Sequence, residues 1–251
     1  MDVQKVNKAL RSQFLFSPTP GQDKLIDALS SFLTSTEHKE TFILKGYAGT
    51  GKTTIVSALV KILPEFKLKS VLLAPTGRAA KVLSNYSGKP AFTIHKKIYR
   101  QKASGGAALQ FVRQQNLHTN TLFIVDEASM ISNQGNEFKT SDQKNLLDDL
   151  IDYVFEGQSC KLIIIGDTAQ LPPVGSTASP ALETDYMQSS YDLSLTTVEL
   201  TEVVRQQQRS GILENATRVR ELIRQEADAL PEFITAGYND IYRMTGERLE
   251  D

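Results

Sequence analysis

The sequence predicts an α/β fold, a parallel sheet covered by helices on both faces. Four short runs rich in Val, Ile, Leu and Phe recur along the 251 residues: Thr41–Leu44, Ser70–Leu73, Thr121–Val125 and Lys161–Ile165. Unbroken apolar runs are what strands buried on both faces require. Segments with helical spacing lie between them. A glycine-rich run joins the first strand to the helix that follows. Strands alternating with helices in this way favour a doubly wound sheet.

The elements follow in chain order. Gln22–Leu33 reads as a helix, and Thr19-x-x-Gln22 ahead of it has the spacing of a capping box. Thr41–Leu44 is the first strand. Lys52–Leu63 is a helix, with Ile55, Val56, Leu59, Val60 and Leu63 at helical spacing. Ser70–Leu73 is the second strand and Gly77–Leu83 a shorter helix. Gln101–Asn120, with Gly105-Gly106, breaks the alternation and fits either an inserted β-hairpin or a loop. Thr121–Val125 resumes the sheet, and Ser132–Ser141 is polar and loop-like. Asp142–Phe155 is a helix with Leu146, Leu147, Leu150, Ile151 and Val154 on one side and Gly157 as its stop. Lys161–Ile165 is the last clear strand, and Ile212–Arg224 a late amphipathic helix.

Three landmarks carry chemistry. The first is Gly46-Tyr47-Ala48-Gly49-Thr50-Gly51-Lys52-Thr53, followed by Thr54. It satisfies the phosphate-binding pattern G-x-x-x-x-G-K-[ST], and it sits between a strand and a helix as that pattern must. Glycines let backbone N–H groups approach a polyphosphate, and the helix N-terminus favours the anion. Lys52 reaches the outer phosphates, and the Thr53 hydroxyl is placed to ligate Mg²⁺. The bland alternative is a glycine-rich turn entering an ordinary helix.

The second landmark is Phe123-Ile124-Val125-Asp126-Glu127, an apolar strand ending in two carboxylates. Asp126 is suited to the Mg²⁺ shell, and Glu127 to accepting a proton from attacking water. The third is Ile163-Ile164-Ile165-Gly166-Asp167-Thr168-Ala169-Gln170-Leu171-Pro172-Pro173. It also leaves a strand at the carboxyl edge, where α/β sheets bind ligands. The Gln170 amide suits a γ-phosphate sensor, and a Gly-Asp turn closed by prolines explains the local sequence equally well.

Charge is segregated. The net charge is −1, yet no Asp or Glu falls between Glu65 and Asp126. That stretch carries ten cations: Lys67, Lys69, Arg78, Lys81, Lys89, Lys96, Lys97, Arg100, Lys102 and Arg113. The rest of the chain is left at about −11. Tyr86, Phe92, Tyr99 and Phe111 are interleaved with them. Cations for phosphates and rings for bases fit a single-stranded nucleic-acid track. Phe92 and Phe111 could equally be core residues.

Other classes are disfavoured. A single cysteine, Cys160, excludes an internal disulfide framework, and it reads as a buried thiol. His38, His95 and His118 are scattered, which argues against a histidine metal cluster. No apolar run reaches the roughly 18 residues of a membrane span. The opening residues lack a signal-peptide pattern, and a cytoplasmic location is expected.

In order, these segments resemble the first motor domain of superfamily 1B DNA helicases, the RecD-like and Dda-like enzymes, from Phe16 to Arg224. PTPGQ (Pro18–Gln22) resembles their adenine-reading motif, and GYAGTGKTT (Gly46–Thr54) their motif I. APTGRAAKVL (Ala74–Leu83) and TIHKKIY (Thr93–Tyr99) resemble DNA-contact motifs. VDEASM (Val125–Met130) and GDTAQLPPVG (Gly166–Gly175) resemble motifs II and III. ELTEVVRQ (Glu199–Gln206) resembles the element that supplies an arginine to the γ-phosphate.

The resemblance implies a P-loop, RecA-like fold using ATP and Mg²⁺. It implies that Gln22 reads adenine and that Arg205 is an arginine finger, a group that contributes on the order of 10³–10⁵ in rate. It gives DNA contacts to Thr76, Gly77, Arg78, Thr93, His95 and Lys96. Without it, Thr76-Gly77 reads as a turn, Thr93 as the cap of a basic helix, and Arg205 as a solvated arginine. It implies motion 5′ to 3′ on single-stranded DNA and a small insertion at about 101–120. Motor domain 1 is expected over residues 1–230, with 231–251 leading toward a second RecA-like domain that this chain lacks. The alternative for the same motifs is a P-loop ATPase acting on protein partners.

Overall fold

The computed structural model describes residues 1–15, 17–103, 109–134, 145–176, 178–202, 210–225 and 230–244. The chain divides into two compact units, Met1–Val204 and Arg205–Asp251.

The first unit is built on a six-stranded parallel sheet. Its strands are β1 (Glu40–Gly46), β2 (Lys69–Ala74), β3 (Ala91–Thr93), β6 (Thr121–Val125), β7 (Lys161–Gly166) and β8 (Ser194–Leu200), in the order β3-β2-β6-β7-β1-β8. All four expected strands are present, each slightly longer than or equal to its apolar run. Side chains alternate between two cores, as the two-residue period of a strand dictates. Phe42, Leu44, Ile163 and Ile165 pack on one face with α1 (Val3–Ser12), α2 (Pro20–Thr34) and α3 (Lys52–Ile62). Ile43, Phe123, Val125 and Ile164 pack on the other with α5 (Ile94–Ile98), α6 (Leu146–Glu156) and α7 (Thr184–Tyr191). These strand residues are 0–1% exposed. Each contributes about 1.5–3 kcal/mol by burial, so neither face of the sheet tolerates a polar residue there.

Local signals set the helix ends. Thr19 accepts from the Gln22 backbone N–H while the Gln22 side chain accepts from the Thr19 N–H, the reciprocal box expected from the sequence. Thr76 caps α4 (Gly77–Ser87) and Thr93 caps α5, each through its hydroxyl. Asn145 caps α6. The first residues expected for that helix, 142–144, lie outside the described residues.

Four elements are additions to the sequence reading: α1, α7, β3 and β8. The irregular segment is a hairpin, β4 (Tyr99–Ala103) paired antiparallel with β5 (Leu109–Arg113) as a separate two-stranded sheet. It starts two residues before Gln101, and its strands end at Arg113 rather than Asn120. Its base is fixed to α6: the Tyr99 hydroxyl donates to Asp149 at 2.7 Å, and Arg113 donates to Glu156 at 2.8 Å. Phe92 and Phe111 are 37% and 40% exposed, so neither is a core residue. Cys160 is buried, as expected.

In the second unit, α8 (Gly211–Arg224) is capped by Ser210. Asn215 exchanges hydrogen bonds with the backbone of Ile234, and Asp240 accepts from both Ser210 and the Gly211 N–H. The segment 230–244 is thereby pinned along this helix.

Candidate nucleotide site and adjoining basic edge

The phosphate-binding loop leaves β1 at Gly46 and enters α3 at Lys52. Two glycines are dictated by geometry. Gly51 has φ +95°, a left-handed conformation that L side chains adopt at a cost. A Cβ on Gly46 would lie 2.9 Å from Thr50 Oγ1 and 3.2 Å from both Cβ and the carbonyl oxygen of Leu200. Inside the loop, Thr50 Oγ donates to the Tyr47 carbonyl at 2.8 Å. Lys52 Nζ donates to the carbonyls of Gly46 and Tyr47, at 2.5 and 2.9 Å, which holds an ammonium across the loop. Ala48, Thr53 and Thr54 are exposed on it, and Gly49 completes the turn at φ +83°.

Gln22 is buried beneath this loop. Its Nε2 donates to the Thr50 carbonyl at 3.1 Å, and its Oε1 accepts from the Thr19 N–H. A glutamine amide carries two N–H donors and two acceptor lone pairs. These two bonds use one donor and one lone pair of that set. Glu202, two residues past β8, accepts from the Gly21 N–H at 3.3 Å and fixes the first turn of α2.

Strand order brings the remaining landmarks together. β7 lies between β1 and β6, so the turn after β7 emerges between the phosphate loop and the paired carboxylates. Asp126 Oδ1 accepts from the Glu127 N–H at 2.9 Å, and Oδ2 accepts from the Tyr86 hydroxyl at 2.5 Å. Glu127 has φ +55°. A non-glycine residue held left-handed stores strain on the order of 1–2 kcal/mol, a feature that clusters at functional sites. Burial and then the neighbouring Asp126 push the Glu127 carboxyl above its usual range. A hydrogen bond from Gln170 and the charge of Lys52 oppose that shift.

Gln170 is oriented from its other end, where Ser129 Oγ donates to its Oε1 at 3.3 Å. With the carbonyl so used, the amide N–H₂ faces Glu127. Asp167 shapes the turn by accepting from the Ala169 N–H at 2.9 Å.

The donor set fits Mg²⁺. Thr53 supplies a hydroxyl and Asp126 a carboxylate, both hard oxygen ligands, beside a loop built for phosphates. Mg²⁺ keeps several waters and shares its remaining positions with substrate phosphates. Among the described residues no cluster of three or more His, Cys, Asp or Glu could hold a metal by itself.

The residues assigned to a nucleic-acid track come from two segments that the sheet joins. β2 pairs with β3 so that Ala74 faces Thr93. Thr76, Gly77 and Arg78 are thereby set beside Thr93, His95 and Lys96 at the carboxyl edge. Gly77, Arg78, His95 and Lys96 are exposed, while both threonines are half-buried as helix caps. Phe92 is exposed beneath Lys97, whose Nζ is 5.9 Å from the ring centroid.

Other members of the basic stretch do different things. Lys67 and Lys69 sit at the amino end of β2, the opposite edge. Lys89 donates to Ser70 Oγ at 3.1 Å. Tyr86 and Tyr99 turn their hydroxyls inward to carboxylates. Arg205 lies outside the described residues. The contacts of Ser129, Tyr86 and Glu202 at the site are not readable from the sequence, because their partners are 41, 40 and 181 positions away. The one local signal is Ser129, a lone hydroxyl in the otherwise apolar stretch Ala128–Ile131.

No helix among the described residues is long and apolar enough to cross a membrane.

A family model described as an AAA domain matches residues 19–232. The chain is 29% identical over 201 residues to the ATP-dependent RecD2 DNA helicase of Deinococcus radiodurans, covering 79% of this chain and 24% of that protein. It is 30% identical over 206 residues to the ATP-dependent DNA helicase dda of Enterobacteria phage T4, covering 80% and 42%. It is 30% identical over 171 residues to the RecBCD enzyme subunit RecD of Buchnera aphidicola, covering 60% and 26%. The chain thus spans about a quarter to two-fifths of the length of these curated relatives. With the phosphate loop, paired carboxylates and Gln170 gathered at one sheet edge, the chain belongs to the AAA domain family, as a motor domain of the superfamily 1B helicase type.

Proposed function

We propose that this chain binds and hydrolyses ATP as the first motor domain of a DNA helicase, and that hydrolysis drives 5′-to-3′ movement along single-stranded DNA. The observation that carries the reading is the shared edge. Lys52, Thr53, Asp126, Glu127 and Gln170 converge at the carboxyl end of β1, β6 and β7, and Thr76–Arg78 and Thr93–Lys96 flank them from β2 and β3.

Each residue has a distinct task. The loop 46–54 cradles the phosphates through backbone N–H groups, and Lys52 leaves its carbonyl partners to meet the outer phosphate. Gln22 braces the loop and reads the adenine edge with its remaining donor and acceptor. Mg²⁺ at Thr53 and Asp126 would supply neutralisation of the phosphate charge. Glu127 holds and deprotonates the attacking water, and its raised pKa makes it a stronger base than an ordinary carboxylate. Gln170 senses the γ-phosphate. Arg205 serves as the arginine finger, and a second RecA-like domain supplies the groups that complete the cleft.

Phosphate release with and without an oligo-dT strand tests the proposal, together with the salt dependence of oligo-dT binding. The expected result is stimulation by the strand and a log–log salt slope of about −0.7 per neutralised phosphate. Turnover that ignores oligo-dT, with no salt-dependent binding, would favour an ATPase acting on protein partners instead.

A further inference from the structure

By composition Tyr86, an aromatic among cations, fits a base-stacking ring of a nucleic-acid track. The structure turns it the other way. Its ring is partly buried against the core of α1, α2 and α3, and its hydroxyl donates to Asp126 Oδ2 at 2.5 Å. We propose that Tyr86 is a positioning residue: it fixes the Asp126 carboxylate for Mg²⁺ and ties that carboxylate to α4, the helix whose first turn carries Gly77 and Arg78. This rests on the reading of Asp126 as a Mg²⁺ group given above.

The geometry supports the role in three ways. A carboxylate at a strand end rotates about a broad, two-fold torsion unless something holds it. Here each oxygen has its own anchor, the Glu127 N–H on Oδ1 at 2.9 Å and the Tyr86 hydroxyl on Oδ2. Two anchors on two oxygens define the carboxylate plane. Each oxygen retains a lone pair, so a metal-bound water can be accepted without displacing either anchor. Hydrogen bonds to an ionised acceptor are the strong class, at 2.5–2.7 Å for a hydroxyl donor.

The connection to α4 is direct. The helix has 11 residues, about 16 Å at 1.5 Å per residue. Thr76 caps one end and Tyr86 stands on the last turn. Arg78 is exposed at the first turn, so a strand gripped there pulls on the same rigid element that holds Asp126. Among the described residues, no other hydrogen bond joins α4 to the paired carboxylates.

Tyr86→Phe removes the donor and keeps the ring. The measurement is ADP affinity by equilibrium titration, with MgCl₂ and with EDTA, on the same protein. Partners that orient a metal-ligating group are typically worth 10–100-fold in metal affinity. The expected result is a Mg²⁺-dependent gain in ADP affinity reduced about tenfold, with metal-free ADP affinity unchanged. Mn²⁺ titration followed by electron paramagnetic resonance, with ADP present, should show the same loss. A packing role would lower thermal stability and leave the Mg²⁺-to-EDTA ratio alone, so an unchanged ratio overturns the inference. Saturating oligo-dT should shift Mn²⁺ affinity in the native protein and not in Tyr86→Phe, and an equal shift in both overturns the link through α4. If the native protein binds no ADP in either condition, the functional proposal itself falls. If it shows the gain and the variant matches it, only the role of Tyr86 falls.

Discussion

Replacing Glu127 by Gln should make the protein slower and more stable together. The shape of the side chain is kept and its proton-accepting charge is lost. Losing a positioned general base costs about 10²–10⁴ in rate, or about 3–5 kcal/mol of barrier at 1.36 kcal/mol per decade. Stability moves in the opposite direction, for reasons visible in the fold. Burial and Asp126 raise the Glu127 pKa, and Lys52 with Gln170 compensate only in part. The folded state therefore holds this proton more tightly than the unfolded chain does. Its contribution to stability is fully present below the unfolded-state value of about 4.3 and is lost as pH rises through the higher folded value. At neutral pH the ionised carboxylate works against folding, and the amide does not. Phosphate release at enzyme excess, ATP binding and thermal unfolding at pH 7 and pH 4 test this. Turnover should fall at least a hundredfold, binding should persist, and Tm should rise at pH 7 while the two proteins converge near pH 4. Turnover within about tenfold of native, or a lower Tm at pH 7, would refute the reasoning. A joint loss of activity and Tm would mean that the substitution disturbs the fold.

Two further substitutions test the frame around the site. Gly46→Ala places a Cβ against Thr50 and the Leu200 backbone, overpacking worth about 1–3 kcal/mol. That corresponds to a Tm loss of about 2–4 °C per kcal/mol at this size, with ATP affinity falling alongside, and a native-like Tm and affinity would show that the loop is looser than described. Asp149→Asn probes the hairpin base. Burial raises the Asp149 pKa against the pull of Tyr99 and Arg113, so the same sign applies: the variant should gain Tm at pH 7 and lose that gain near pH 4. A variant less stable at both pH values would mean that the Arg113 charge pair outweighs burial.

What the sequence revealed tracks how each element is buried. The central strands are covered on both faces, so each had to be an apolar run, and each was legible. β8 is an edge strand with Thr196 and Thr197 exposed, and it left no run to find. β3 has three residues, and α1 and α7 bury only two and one, too few to fix a period. The same contrast holds at the site. Lys52, Thr53, Asp126 and Glu127 follow from local patterns, because phosphate binding needs a fixed spacing within one loop and one strand end. The Gln22–Thr50, Ser129–Gln170 and Tyr86–Asp126 contacts join segments 28 to 41 positions apart. Only the strand order β2-β6-β7-β1 brings them together. Tyr86 shows the cost of reading composition alone: an aromatic among cations looked like a base-stacking ring and is a carboxylate partner.

The most direct measurement is calorimetric titration of the native chain and of Lys52→Ala with ATP in the presence of MgCl₂. Charge-assisted hydrogen bonds are worth about 1.5–3 kcal/mol, so saturable one-to-one binding by the native chain should weaken by about 10–100-fold in the variant. Absence of heat from the native chain, or equal affinities for the two proteins, would contradict the assignment of this sheet edge to a nucleoside triphosphate.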